Sequence, residues 1–384
     1  MQGRPGPGPR TVCLDATAQA TSTGSGVSTG SSLTDGGAIA KARVSVVVPC
    51  FNYGRYLDAC LRSALVQDVD VEVILIDDAS TDGSAAVADR LARRYQRVRL
   101  VQHDLNRGHI ATYNEGLRLA TGEYTVLLSA DDLLAPGALA RAIELFEAKP
   151  GVGLVYGRPV YFSDHTVPAQ VPSGSGSWQI WPGQEWVEAC CRMGRVCIVS
   201  PEVVVRTALQ RELGGYRSDL PHSGDHEMWL RFATCSDVGY LDAPQAFHRV
   251  HSANMSSTDF ASPLVDAQAR LAAFEAALLD RAQPMVNAAA LYQLARRGVA
   301  TEVLWHVCRM YDRGGIADFP AEALVAFAAA VWPASVRCRR LALRRRMGPA
   351  LSARIAPLFM PDVIRHRVAT RRRQYGRLWW RHLG

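Results

Sequence analysis

The sequence predicts an α/β fold, in which a mixed, mainly parallel central sheet is flanked by helices and followed by a helical C-terminal extension. Between residues 44 and 156, short β-branched runs alternate with helical segments of about a dozen residues, an order typical of a parallel sheet. Several runs are almost continuously apolar, as are strands covered on both faces. Beyond Ala261 the composition shifts to Ala, Leu and Arg at helical spacing.

The strands are predicted from these runs, and the helices from apolar residues three or four positions apart. The predicted strands are residues 44–48, 71–76, 98–101, 126–128, 152–156 and 198–205, with a late strand or turn at 246–251. Leu57, Leu61 and Leu65 mark one face of the first helix. Pro136 is predicted to lie in the first turn of the helix after the fourth strand.

The 384-residue chain has a net charge of +7, which is unevenly distributed. From Arg337 to Gly384 there are 14 arginines against the single Asp362, a net charge of +13, so the remaining residues carry −6. The basic character therefore belongs to the tail and says nothing about the ligand of the main domain. A hydrophobic content of 48% is enough for one sizeable core and an accessory region.

Composition divides the chain into three segments. Residues 1–40 are rich in Gly, Ser, Thr and Pro without periodicity and are predicted to be disordered. Residues 41–262 form the predicted α/β domain, and residues 263–384 form the helical extension with its Arg-rich tail. From Ser163 to Gly183 the chain is rich in Gly, Pro and Ser, which predicts a long loop that is either functional or disordered. Its Trp178 and Trp181 are expected to be exposed, which favours a functional loop that offers a surface to a second substrate.

The sequence also predicts a cellular location. Its nine cysteines are scattered without a CxxC pair, and the N-terminus lacks the apolar core of a signal peptide, which is typical of a cytoplasmic protein with reduced thiols. The longest uncharged apolar stretch, residues 323–332, is much shorter than the ~20 residues that cross a bilayer.

Pairs of carboxylates follow two of the predicted strands: Asp77 with Asp78, and Asp131 with Asp132. Ligands bind at the carboxyl ends of strands in such sheets, so we expect both pairs at one edge. Adjacent carboxylates are costly to keep ionised unless a cation or a donor group shares the site, and a hard divalent cation carrying a phosphate suits them. Asp225, on a separate loop, could take a proton from an attacking hydroxyl.

Each acidic site has a structural alternative. Asp77 and Ser80 could cap the following helix, and Asp225 could cap a helix over residues 228–232. The second pair could be an acidic surface turn. In the functional interpretation, Asp78 accepts hydrogen bonds from a nucleoside, because a base or ribose offers N–H and O–H donors.

Several stretches resemble a known family in their order and spacing: residues 44–53, 75–84, 106–108, 114–116, 121–124, 129–132, 224–225 and 229–231. They resemble a family 2 glycosyltransferase of the GT-A fold, the nucleotide-diphospho-sugar transferase fold, and the resemblance covers roughly residues 43–256. The resemblance implies inverting transfer of a sugar from a nucleotide-sugar donor to the hydroxyl of a glycan, lipid-linked or other acceptor. It also implies a role in cell-surface polysaccharide or glycolipid synthesis.

The resemblance also implies a donor site. The residues that match the family's nucleotide pocket are Pro49, Phe51, Asn52, Asp77, Asp78, Asn106 and Asp131. Asp131 and Asp132 match its metal and diphosphate motif, and the implied cofactor is a divalent cation, Mn²⁺ or Mg²⁺. That motif commonly reads Asp-x-Asp, and Ser129 stands here at the first Asp position.

The remaining catalytic positions lie later in the chain. Asp225 matches the general base of inverting members, with Gly224 in place of the usual acidic neighbour. His251 resembles a late His that approaches the diphosphate, and the resemblance implies that it joins Asp131 and Asp132 at the metal. His226 and His248 are predicted to be structural.

Other classes of protein fit the sequence less well. A nicotinamide dehydrogenase needs a Gly-rich turn after its first strand, where this chain has Pro-Cys-Phe-Asn-Tyr-Gly. A phosphoacceptor receiver domain needs a nearby lysine, and the only two lysines, Lys41 and Lys149, are badly placed. The alternative that remains is a catalytically inactive homologue that binds a nucleotide or scaffolds a partner.

The tail has a separate interpretation. Arginines cluster at 339–346 and 365–373, and Trp379 and Trp380 follow them. Such a composition suits an anionic membrane surface and predicts peripheral attachment to the inner face of the plasma membrane. A solvated tail is the alternative. Nucleic acid is not a predicted partner, because no recognised reading module accompanies the charge.

Overall fold

The computed structural model describes residues 43–163, 176–252, 254–255, 262–280, 285–359, 364 and 368. The predicted disordered segment 1–40, the arginines of the 365–373 cluster, Trp379 and Trp380 lie outside the described residues. Within the described ranges, no helix is both long enough and apolar enough to cross a lipid bilayer.

One mixed sheet contains the nine strands of the described chain. They are β1 (Arg43–Cys50), β2 (Asp70–Asp77), β3 (Val98–Gln102), β4 (Tyr124–Leu127), β5 (Leu133–Leu134), β6 (Val152–Ser163), β7 (Trp178–Trp181), β8 (Val204–Arg206) and β9 (Asp237–Val250). Their order is β3-β2-β1-β4-β8-β6-β9-β5, with β7 paired to β9. The β3-β2-β1-β4 half is parallel, whereas β8 runs antiparallel to both β4 and β6.

Helices flank this sheet and form the extension, so the predicted α/β fold class is confirmed. The helices are α1 (Gly54–Leu65), α2 (Ser84–Arg94), α3 (His109–Leu119), α4 (Ala138–Ala148), α5 (Gly183–Met193), α6 (Thr207–Leu213), α7 (Gly224–Ala233), α8 (Pro263–Leu278), α9 (Ala288–Asp312), α10 (Ala321–Val331) and α11 (Arg339–Ile355). α11 is broken at Gly348, whose φ of 73° is not helical and which precedes Pro349. Short 3-10 helices lie at Pro333–Arg337 and Ala356–Phe359.

β1 is covered on both faces, as its apolar run predicts. Val46 packs in a core with Leu61 of α1, whereas its neighbour Val47 packs in a different core with Ile76 of β2. On the Val47 side, α3 approaches the strand closely at Gly116, where a Cβ atom would lie 2.1 Å from Val47 Cγ1. The first strand is therefore closely packed on both faces.

The helical extension shares a hydrophobic core with the helices of the predicted domain. Trp186 of α5 and Phe232 of α7 belong to the same buried cluster as Phe274, Val299 and Leu324 of α8, α9 and α10. The described residues from 43 onward belong to one compact unit. The division of the chain at residues 262 and 263 stays a prediction.

The position predicted for Pro136 is wrong. α4 begins at Ala138, after Gly137 with a φ of 69°. The Ala138 N–H donates to the Ala135 carbonyl at 3.1 Å, so Pro136 lies in the turn before the helix. The left-handed glycine ends this turn and prevents the helix from starting earlier.

Trp178 and Trp181 do not lie in an exposed loop, and this prediction is also wrong. Both belong to β7, which pairs antiparallel with β9, and both side chains are half-buried. Pairing with a long neighbouring strand has overridden the loop signal of the flanking Gly, Pro and Ser residues. Residues 164–175 of the predicted loop lie outside the described residues.

The predicted strand over residues 198–205 is mostly a turn. Only Val204–Arg206 is a strand. Ser200 adopts a φ of 67°, and its carbonyl accepts a hydrogen bond from the Val203 N–H at 3.1 Å. The Glu202 Oε1 atom accepts from the Val199 N–H at 2.7 Å. These bonds occupy backbone groups that a strand would use for its ladder.

Candidate active site

The parallel half of the sheet brings the predicted site residues to one edge. Cys50 at the end of β1 pairs with Asp77 at the end of β2, and Val47 pairs with Leu127 at the end of β4. The loops after these three strands therefore leave the sheet side by side. This edge is where open α/β sheets bind ligands.

Asp78 fastens the loop after β3 to this edge. Its Oδ1 and Oδ2 atoms accept hydrogen bonds from the N–H groups of Arg107 and Gly108 at 2.8 and 3.0 Å, and Oδ1 lies 2.7 Å from Nδ1 of His103. Burial alone would raise the Asp78 pKa, but the bonds from the Arg107 N–H and His103 outweigh it, so the pKa is lowered. Asp78 is thus an ionised carboxylate that shapes the site.

Asp77 has a carboxylate oxygen that is available to accept a further hydrogen bond. It is 2% exposed, and its Oδ2 atom accepts from the Ser80 N–H at 3.3 Å. Among the described residues, its Oδ1 atom is buried without a hydrogen-bond partner. The helix-cap alternative is wrong, because α2 begins only at Ser84. A buried orphan acceptor at a ligand-binding edge favours a bound donor group.

Asn52 joins the loops after β1 and β2. It adopts a φ of 61°, its N–H donates to Ser80 Oγ at 2.9 Å, and its Oδ1 accepts from the Thr81 N–H at 2.8 Å. A left-handed non-glycine residue is uncommon and costs energy, so the surrounding bonds must hold it. Asn52 therefore acts within the protein as a clamp between two loops.

The other residues of the predicted nucleotide pocket lie beside this clamp. Pro49 is half-buried in β1, and the Phe51 ring that follows is 44% exposed. Asn106 is exposed, and its Oδ1 accepts from the Gly108 N–H at 3.0 Å. An exposed aromatic ring at this edge offers an apolar face to a planar base.

The end of β9 holds the second acidic pair. Asp132 is 1% exposed; its Oδ1 accepts from the Arg249 N–H at 2.8 Å, and its Oδ2 lies 3.1 Å from Nδ1 of His248. The Asp131 Oδ2 atom lies 3.0 Å from Nε2 of His251 and accepts from Asn254 Nδ2 at 3.1 Å. His248 therefore contacts the acidic pair, which a purely structural histidine need not do.

Charge and burial both act on this pair. Burial raises the pKa of Asp131, the Asp132 charge raises it further, and His251 opposes them. Burial would lower the pKa of His248, but the hydrogen bond to Asp132 outweighs it and the pKa is raised. The pair is therefore not a solvated surface turn, and that alternative is wrong.

The acidic pair does not form a complete metal cage with its neighbours. In the part of the chain that the structure describes, no group of three or more His, Cys, Asp or Glu side chains could hold a metal ion. This does not conflict with the donor set of a hard cation. Mg²⁺ is commonly bound by one or two carboxylates, with phosphate and water oxygens completing its shell.

Asp225 lies in the first turn of α7. Its Oδ2 atom accepts a hydrogen bond from Ser200 Oγ at 2.5 Å, and its Oδ1 accepts from the neighbouring His226 N–H at 3.0 Å. Its position in the first helical turn favours the negative charge. Burial lowers the pKa of His226 and keeps that imidazole neutral beside the carboxylate.

Tyr113 of α3 links Asp225 to the acidic pair. Burial raises the pKa of its phenol, followed by the charges of Asp225 and Asp131, so both carboxylates lie within electrostatic reach of one hydroxyl. The Tyr113 ring contacts the Tyr216 ring at a centroid distance of 5.5 Å, and Tyr216 packs beside Gly224 at the start of α7. The start of α7 therefore lies beside the Tyr216 ring, which contacts Tyr113 of α3.

Sequence reasoning missed several residues of this site. The missed side chains are Ser200, Glu202, His103, Tyr113, Arg249 and Asn254. Of these six, only Arg249 lies within two positions of a predicted site residue, His251. The Arg249 Nε atom donates to the Asp131 carbonyl at 2.8 Å, and its guanidinium lies 4.5 Å from the centroid of the Tyr56 ring.

The fold and the paired carboxylates define an α/β protein with a candidate ligand-binding site at the carboxyl ends of its parallel strands. The model of the family "Glycosyl transferase family 2" matches residues 45–185. The "Uncharacterized protein MT1568" of Mycobacterium tuberculosis is 30% identical over 247 residues, which cover 57% of this chain and 70% of that protein. The chain belongs to glycosyl transferase family 2. Two other curated glycosyltransferases are matched over only 36% and 31% of their length.

Solved structures share the GT-A-like fold. Staphylococcus aureus TarS 1-349 in complex with UDP-GlcNAc superposes with a TM-score of 0.54 at 15% identity, covering 83% of this chain and 92% of that one. The mannosyltransferase PcManGT of Pyrobaculum calidifontis, in complex with GDP-Man and Mn²⁺, gives a TM-score of 0.50 at 20% identity, covering 83% and 88%. At these identities the likeness establishes the fold alone.

Proposed function

We propose that the protein is a metal-dependent, inverting glycosyltransferase that moves a sugar from a nucleotide-sugar donor to an acceptor hydroxyl. The observation that carries the proposal is that two carboxylate pairs, Asp77 with Asp78 and Asp131 with Asp132, follow strands that both pair with β1, while Asp225 and Asp131 both act electrostatically on Tyr113. Family membership supports it, as do structural neighbours whose complexes contain UDP-GlcNAc or GDP-Man.

The donor is proposed to bind across the ends of β1, β2 and β4. The orphan Oδ1 of Asp77 would accept a hydrogen bond from the nucleoside, and the exposed Phe51 ring would lie against the base. Asp131 and Asp132 would hold a divalent cation, Mn²⁺ or Mg²⁺, whose charge compensates that of the diphosphate. Support for the cation comes from the Mn²⁺ in the PcManGT complex.

Asp225 is proposed to be the general base. Its carboxylate would take the proton of the acceptor hydroxyl while that oxygen attacks the anomeric carbon and the nucleoside diphosphate leaves from the opposite face. One displacement of this kind inverts the anomeric configuration. General-base assistance typically contributes about 10²–10⁴-fold in rate, and the Ser200 hydrogen bond keeps the base in one orientation.

The experiment is a donor screen with purified protein. Nucleotide sugars are incubated with Mn²⁺ or Mg²⁺, and release of nucleoside diphosphate is followed with and without chelator. We expect metal-dependent release from one donor or from a small set. If the protein is instead a catalytically inactive homologue, it should bind a nucleotide but release nucleoside diphosphate from no donor. The same screen therefore separates the two functions.

A second proposal concerns location and acceptor. On α11, Leu341 and Arg344 are buried, whereas Arg339, Leu343 and Arg346 share the opposite face and are exposed. Exposed arginines around an exposed leucine suit an anionic lipid surface. We therefore propose that the protein acts peripherally on the cytoplasmic face of the plasma membrane, in cell-surface polysaccharide or glycolipid synthesis.

Vesicle co-sedimentation tests this attachment. The double variant R339A/R346A should bind vesicles containing phosphatidylserine about 10- to 30-fold more weakly, since each basic side chain near an anionic surface contributes about 1 kcal/mol. R90A/R99A removes two exposed arginines elsewhere and serves as the charge-matched control. The proposal would be contradicted if R339A/R346A bound anionic vesicles as tightly as R90A/R99A does, or if neither variant distinguished anionic from neutral vesicles.

A further inference from the structure

The turn over residues 199–203 connects the two halves of the site, and we call it the bridging turn. At one end, Ser200 Oγ donates to Asp225 Oδ2 at 2.5 Å. Two residues later, Glu202 lies within electrostatic reach of His248 and Asp132. The turn therefore contacts the proposed base directly through Ser200, and its Glu202 interacts electrostatically with the proposed diphosphate site.

Glu202 is an unusual side chain for a turn. It is 1% exposed, and its Oε1 atom accepts from the Val199 N–H at 2.7 Å. Within the described residues its other oxygen, Oε2, is buried and has no hydrogen-bond partner. Leaving a buried polar atom unsatisfied costs free energy, and folded proteins seldom do so without a ligand, water or ion that completes the bond.

The surroundings of Glu202 place it on the donor side of the turn. The charge of Glu202 acts on the phenol of Tyr161, and the Tyr161 ring contacts the His248 ring at a centroid distance of 5.5 Å. His248 in turn lies 3.1 Å from Asp132 Oδ2. Glu202 thus belongs to the wall next to the acidic pair, while its backbone leads to the residue that contacts Asp225.

We infer that Glu202 is a specificity-determining residue whose Oε2 atom hydrogen-bonds a hydroxyl of the donor sugar. The inference rests on the proposed function. In a nucleotide sugar, the sugar follows the second phosphate and must face the attacking hydroxyl. It therefore occupies the space between Asp132 and Asp225 that the bridging turn borders. A carboxyl group there selects among sugars by the position of their hydroxyls.

The variant E202Q isolates this role. Its amide oxygen can still accept from the Val199 N–H, so the turn keeps its internal bond, and only the oxygen proposed to meet the sugar is replaced by an amide nitrogen. Titration calorimetry would compare UDP-N-acetylglucosamine, UDP-glucose and GDP-mannose with UDP and GDP on wild type and variant. Binding is the readout, so the test does not need turnover.

We expect E202Q to lower the affinity for the preferred nucleotide sugar about 10- to 100-fold, which corresponds to the loss of one hydrogen bond to a carboxylate. The affinity for the matching nucleoside diphosphate should stay within about twofold of wild type. A deoxy donor that lacks the contacted hydroxyl should bind both proteins equally. The inference would be overturned if E202Q weakened the binding of the nucleotide sugar and of the nucleoside diphosphate equally, or weakened neither. It would also be overturned if no nucleotide sugar bound the wild type more tightly than its nucleoside diphosphate does. A sugar-dependent loss without diphosphate release would instead refute the proposed transfer while sustaining the role of Glu202.

Discussion

Ser200 donates a hydrogen bond to Asp225 across the active-site edge, with 2.5 Å between Ser200 Oγ and Asp225 Oδ2. The serine adopts a left-handed backbone conformation, with a φ of 67°, which is uncommon for a non-glycine residue. Strain of this kind persists only where the surrounding structure enforces it, and it often occurs at functional sites. We interpret the turn as the support that fixes the orientation of the base.

S200A should therefore reduce turnover without weakening the binding of the donor. Loss of one hydrogen bond to a carboxylate costs about 1.5–3 kcal/mol when the partner needs it for orientation, so we expect kcat to fall about 10-fold or more. The affinity for nucleoside diphosphate should stay unchanged. S335A, in the 3-10 helix of the extension, is the control and should keep wild-type kcat. A kcat equal to that of wild type would show that Asp225 does not need Ser200.

The adjacent residues Asp77 and Asp78 should respond in opposite ways to loss of charge. D78N removes an acceptor that ties down the Arg107 and Gly108 N–H groups, and we expect it to lower the free energy of unfolding by about 2–3 kcal/mol. D77N alters a side chain whose Oδ1 has no partner in the described structure, so stability should be nearly unchanged while nucleotide binding weakens.

Urea unfolding and nucleotide titration of the two variants separate these effects. Because the folded pKa of Asp78 is lowered, its stabilisation is present above its ordinary pKa of 3.8 and is lost as the pH falls through the folded value. The stability gap between wild type and D78N should therefore shrink in strong acid. Equal unfolding curves for wild type and D78N at neutral pH would contradict the interpretation of Asp78.

Glu202 should make stability depend on pH near neutrality. Burial raises its pKa from 4.5 to about 7, so between these values the folded state binds more protons than the unfolded state. The free energy of unfolding then falls as the pH rises, by up to about 3 kcal/mol. E202Q should remove this fall, leaving the variant more stable than wild type at pH 8 and similar to it at pH 4.5. If the free energies of unfolding of wild type and E202Q changed with pH in the same way, the raised pKa of Glu202 would be refuted.

The extension should depend on a close crossing of α5 and α9. A Cβ atom at Gly298 would lie 2.1 Å from the Cys191 carbonyl oxygen, a backbone atom that cannot move aside cheaply. We expect G298A to lower the free energy of unfolding by about 3 kcal/mol. At Gly315 a Cβ atom would meet only the flexible end of Met310, at 3.1 Å, so G315A is the matched control. Equal stability of the two variants would contradict this packing.

Much of the donor side of the site could be predicted from sequence, for a physical reason. β1, β2 and β4 are short apolar runs, and parallel strands end at one edge, so the sequence alone places Asp77, Asp78 and Asp131 together. Their detailed roles could not be predicted. Asp78 and Asn52 contact the protein's own loops, and those contacts depend on tertiary structure.

The bridging turn and the contacts of β9 were harder to predict. Residues 198–205 have the apolar composition of a strand, and no periodicity announces the left-handed Ser200 or the side chain of Glu202 that bonds back to Val199. The contacts of Arg249 and His248 with Asp132 arise because the long strand β9 passes the loop after β4. Contacts between residues more than 100 positions apart have no local signal.

The most direct measurement of the central claim is turnover and nucleotide binding of D225N with the donor found by the screen. Asn keeps the shape of Asp225 but cannot take a proton, so we expect transfer to fall by about 10²–10⁴-fold. The affinity for the nucleoside diphosphate, which is bound by other residues, should stay within about twofold of wild type. Wild-type turnover in D225N would contradict the claim that acidic residues at this edge activate the acceptor.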